Sequence, residues 1–209
     1  MALNTEKLIN TLDSKLRIYL GVSSVFIKHN PFHYTIKGES SALNRYKNFT
    51  ESVTVLKWFD DFWLFPEIKF ALQQIIVGRK NQQQIETKIS LSVFQGEDSD
   101  NEKYQLFRAE WDDYNNFDEK HSQPHWHITS SQAIENTISE YATVFENQNF
   151  LQVLESEKQK VIDVKKIHFA MNGDWMKDGS HVHRMENEQQ IAKWLLGLLD
   201  HLRTELNDI

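Results

Sequence analysis

Residues 84–111 read QIETKISLSVFQGEDSDNEKYQLFRAEW. Ile85, Thr87, Ile89, Leu91 and Val93 alternate there with Glu86, Lys88, Ser90 and Ser92. Successive side chains of a strand point to opposite faces, so this run is expected to be a strand with one apolar and one polar face. Residues 95–101, QGEDSDN, form a polar turn region. A second strand is expected from Tyr104 to Trp111, with Phe107, Ala109 and Trp111 on one face and Arg108, Glu110 and Asp112 on the other. The two runs predict an antiparallel hairpin.

The flanking segments extend this sheet. On the N-terminal side, Leu8, Ile9, Leu12, Leu16, Ile18, Tyr19 and Leu20 recur at helical spacing, and Gly21 ends the pattern, predicting a helix over 3–20. Ser24–Glu39 reads as extended chain interrupted at Asn30–Pro31. Val53–Gly78 is the most apolar stretch; Asp60–Asp61 predicts a hairpin turn, and Pro66 excludes a helix. On the C-terminal side, Pro124–Ile128 (PHWHI) reads as extended, with His125 and His127 sharing one face. Ser130 or Ser131 is placed to cap a helix reaching about Glu157, with Ile134, Ile138, Tyr141, Val144 and Phe145 as its stripe. Val161–Met171 reads as a strand, and Asn187 caps a last helix through Asn207. This order lacks the regular strand–helix alternation of a doubly wound sheet. The expected fold class is therefore α+β: a single domain over residues 1–209, its antiparallel sheet flanked by N-terminal, central and C-terminal helices.

Composition narrows the functional classes. Thirteen Phe, six Trp and six Tyr supply core material, and seven Gly with three Pro leave little sequence for loose loops. With no cysteine, disulfides and thiolate metal sites are excluded, and a reducing, cytoplasmic location is expected. No signal peptide is expected from MALNTEKLINTLDSKL, and no run approaches the about 18 apolar residues of a membrane span, so no membrane partner is expected. The net charge of −7 disfavours broad nucleic-acid binding without excluding a local basic patch. A protein partner or a second copy of the chain is the expected partner.

The candidate chemistry lies in Leu106–Ser130, LFRAEWDDYNNFDEKHSQPHWHITS. The side chains of His125 and His127, two apart on a strand, start about 6.5–7 Å from each other and can converge on one ion. A divalent metal is the candidate cofactor, with His125, His127, Glu110 and Asp112 as candidate ligands. Arg108, Glu110, Asp112, His125 and His127 are the candidate catalytic residues. A histidine is ligand or general base, a carboxylate ligates metal or orients histidine, and the Arg108 fork holds a phosphate or carboxylate. The plainer alternative is a solvated ladder of ion pairs. His121 lies in the connecting loop, His181 and His183 form a second H-x-H in a glycine-containing loop, and His168 stands alone on its strand. His127-Ile128-Thr129 matches half of the two-histidine phosphoesterase pattern, but His168-Phe169-Ala170 lacks the hydroxyl of the other half. Phosphate loops, GxGxxG, GxSxG and HExxH are absent.

Arg108, Asp112, His121, His125 and His127 give this segment the pattern of an arginine-bearing strand ending in Asp, a polar loop and a histidine element after proline. In this it resembles TumE-type toxins of bacterial toxin–antitoxin modules over about two dozen residues. The present chain is longer, and carries Trp126 between histidines spaced by two. The resemblance implies a small α+β protein acting in host defence or growth control. Two functions follow as expectations: a phosphodiesterase, with RNA as substrate, or a non-catalytic interaction subunit that docks a protein partner.

Overall fold

The computed structural model describes residues 4–46, 49–77, 80–100, 103–112, 124–128, 185 and 187–208. The alternating runs become two neighbouring strands, β6 (Lys80–Gln95) and β7 (Tyr104–Asp112), paired antiparallel. Before them come α1 (Thr5–Leu20), β1 (Phe26–Asn30), β2 (His33–Ile36), β3 (Ser40–Tyr46), β4 (Phe49–Phe59) and β5 (Phe62–Val77). After them come β8 (His125–Ile128) and α2 (Glu188–Asn207). All pairings among these eight strands are antiparallel, in the order β1-β2-β5-β6-β7-β8, with β4 also on β5 and β3 on β4.

An α+β architecture with an antiparallel sheet and N- and C-terminal helices is thus present. The expected central helix over 131–157 and the strand at 161–171 lie outside the described residues, as do His121, His168, His181 and His183. No helix among the described residues is long and apolar enough to cross a membrane.

Local chemistry explains the element ends. The side chain of Asn4 accepts from the Lys7 N–H to open α1, and Gly21 closes it at φ 69°, where a Cβ would be strained. Asn187 opens α2 by accepting from the Gln190 N–H. Asp60, at φ 43°, turns the β4–β5 hairpin, a conformation Asp tolerates better than most residues. Pro66 falls between Phe62–Leu64, which pair with β4, and Glu67–Lys69, which pair with β2. A residue without an N–H is cheapest in that gap.

The pleat sorts the sheet into two faces. Ile68, Ile89 and Trp111 are direct cross-strand neighbours, as are Leu64, Val93 and Phe107. This apolar face joins Leu8, Leu12 and Leu16 of α1 and Ile191, Leu195 and Leu202 of α2 in one buried core. The opposite face is polar and has two unlike ends. At one end, a bulge at Leu106 swings Gln105 onto the face of Ser92. There the Ser92 hydroxyl donates to Asn44 Oδ1, and Gln105 Oε1 accepts from the Arg45 N–H, so β3 closes that end. The other end carries the candidate site.

Candidate functional site

Three cross-strand rows build the site. Glu67 on β5, Ser90 on β6, Glu110 on β7 and His125 on β8 stand in direct register. Phe65, Ser92, Arg108 and His127 form the row on one side, and Lys69, Lys88 and Asp112 the row on the other. Because the side-chain period is two, one pairing register fixes all of these on a single face. Trp126, between the histidines, points to the opposite face, where its ring lies edge-on to Phe107 at 5.6 Å. Its cross-strand partner is the small Ala109, which leaves room for the indole.

The three side chains that converge most closely are Glu110, His125 and His127. The two Nε2 atoms are 3.0 Å apart, and each lies 3.4 Å from Glu110 Oε2. Ligands held about 2.0–2.1 Å from a tetrahedral ion are about 3.3–3.4 Å from one another, so the triangle has the spacing of one face of such a site. Among the described residues, this is the group of histidines and carboxylates close enough to share an ion. Asp112 lies one row away, beside Lys88, and lines the adjoining pocket without joining the triangle.

Arg108 is buried, and its Nε lies 2.5 Å from Glu110 Oε1. This is not a solvated ladder, because the guanidinium and the carboxylate are both largely withdrawn from water. Burial by itself raises Glu110, but the hydrogen bond to His125 and the charges of Arg108, His127 and His125 overcome it and hold the carboxyl at about 2. Burial lowers His127; Glu110 opposes this, while His125 and Arg108 reinforce it, and the net shift is downward. At neutral pH the site therefore offers a carboxylate and a neutral imidazole, the protonation states a metal ion requires.

A pocket of about 170 Å³ adjoins the triad, bounded by Glu67, Lys69, Lys88, Arg108, Glu110 and Asp112 among others. Its far wall was not legible in the sequence. There the buried Glu67 receives His33 Nε2 at 2.8 Å and Lys69 Nζ at 2.7 Å on the same oxygen. No local pattern marks this cluster, since His33 reaches it only through the pairing of β2 with β5. Searches of protein-family models, curated proteins and solved structures find no match to this chain.

Proposed function

We propose that this face is a divalent-metal site that hydrolyses a phosphodiester, with RNA as the expected substrate. The observation that carries the reading is the Glu110–His125–His127 triangle at metal-ligand spacing, with buried Arg108 beside it and a pocket that Arg108 and Glu110 line. Glu110, His125 and His127 would hold the ion. A bound divalent ion lowers the pKa of water to about 7 and polarises a phosphoryl oxygen. The hydrolysis such an ion would support forms one bond from a water oxygen to phosphorus and breaks the ester P–O bond, with the proton lost by the water passing to the leaving oxygen. Arg108 stabilises the charge that builds on the phosphate. Asp112, two residues along β7, is not among the three side chains that converge and instead lines the pocket.

Elemental mass spectrometry on tag-free protein is the direct test. About one metal ion per chain is expected, and loss of most of it in a folded His125→Ala/His127→Ala variant. Metal-dependent hydrolysis of bis-p-nitrophenyl phosphate and of RNA, abolished by chelator, completes the expectation. A parent protein that neither binds zinc or manganese nor cleaves these substrates would sink the reading.

The alternative is an interaction subunit. The observation in its favour is the outer strand β1, which pairs only with β2 among the described residues and exposes Ile27, with Phe32 exposed in the adjoining turn. An open edge of this kind can accept a strand from another protein. Under either reading we place the protein in a reducing cytoplasm. The toxin-like signature supports a setting in defence or growth control.

A further inference from the structure

Glu67 is a buried charge at the pocket that the metal chemistry leaves unused. It stands in the same row as Glu110, two strands away, which puts their Cα atoms about 9–10 Å apart. It is only 5% exposed, yet it lines the same pocket as Arg108 and Glu110. Its carboxylate is braced from behind. His33 Nε2 and Lys69 Nζ both engage Oε1, the His33 ring lies 5.0 Å from that of His29, and His29 Nε2 sits 2.6 Å from Thr35 Oγ1. No described residue donates to the other oxygen, Oε2.

Such a carboxylate is an acceptor held in place for a donor. Lys69 and Lys88 stand on the adjoining row and disfavour a cationic ligand group, so a neutral hydroxyl fits the wall better than an ammonium. The opposite wall is the metal and arginine end, suited to a phosphate. We infer that Glu67 selects the substrate by accepting a hydrogen bond from the ribose 2′-hydroxyl next to the phosphate held at Arg108, Glu110, His125 and His127. The inference rests on the phosphodiester reading of that site. The 2′-hydroxyl is the group by which proteins tell RNA from DNA, and carboxylates recur as its partner where ribose is recognised.

The experiment compares a diribonucleotide with its 2′-deoxy and 2′-fluoro counterparts on zinc-loaded wild-type protein and on Glu67→Ala. The wild type is expected to favour the ribo form at least tenfold in kcat/KM over both analogues. In Glu67→Ala that ratio is expected to collapse to about one, with metal content retained. A purely structural role for Glu67 would lower all three substrates together and leave the ratio intact, which would overturn the inference. So would equal use of the three by the wild type, a readout that needs no variant to fold. If none is cleaved, the hydrolase reading fails separately. Calorimetric binding of the same three dinucleotides then tests the selection, and equal or absent binding overturns it.

Discussion

The two ends of the polar face share a sheet and a pleat but have opposite electrostatic character. At the end covered by β3, the buried side chains of Asn44, Ser92 and Gln105 are neutral and bond one another and the Arg45 N–H, with Asn44 also donating to Glu51. At the other end Arg108, Glu110, His125 and His127 crowd formal or potential charges together, and Arg108 and Glu110 line a pocket. A closed amide–hydroxyl network fixes a fold; buried charges kept beside an opening cost desolvation that a purely structural face would avoid. The contrast teaches that alternation alone does not mark a site. What marks it is titratable chemistry converging on one face of the sheet.

The sharpest way to break this comparison is to remove one end at a time. His125→Ala/His127→Ala should lower metal affinity by at least about a hundredfold, as expected when ligands rather than their supporting groups are lost. Asn44→Ala at the closed end should leave metal affinity unchanged but lower stability by about 1–3 kcal/mol, because the buried Ser92 hydroxyl loses its acceptor. Metal titration and urea unfolding of both variants would show it. Equal loss of metal in both would erase the distinction between the ends.

Trp126→Ala probes how β8 is held without touching a ligand. The ring packs on Phe107 across from Ala109 and is the anchor of a four-residue strand. Its removal should cost about 2–3 kcal/mol, less than the ~3–5 kcal/mol of a fully buried Trp because the ring is only partly buried. Metal affinity should fall about tenfold as the histidines lose their fixed register. Unchanged affinity would mean that the β7 pairing alone sets the site.

How much of this was legible in the sequence follows from the range of each interaction. The alternation of 104–112 and the H-x-H spacing are local, so the shared face of Arg108, Glu110 and Asp112, and that of His125 and His127, could be read directly. That Glu110 rather than Asp112 meets the histidines depends on the β7–β8 register, which no local pattern fixes. The start of β6 at Lys80 was hidden because NQQQ does not alternate; its pairing with the tail of β5 extends it. The bulge at Leu106 flips Gln105 against the period-two expectation. Burial of Arg108, and the whole His33–Glu67–Lys69 wall, arise from strands far apart in sequence.

The smallest expected effect is a difference in acid response. Glu110 is held at about 2 against an ordinary 4.5, so the stabilisation it brings is complete above about pH 4.5 and is lost as pH falls through its folded value. His127 is shifted down, so below about pH 6.5 the unfolded chain takes up its proton first, and stability declines from there as pH falls. Both signs make the open end weaken in acid. Asn44, Ser92 and Gln105 carry no proton to exchange in this range. Unfolding midpoints of wild type and Glu110→Gln/His127→Gln, measured between pH 7 and pH 3, should therefore diverge: the variant loses less stability on acidification. Parallel curves would show that the two charged side chains are no more coupled to folding than the neutral network beside them.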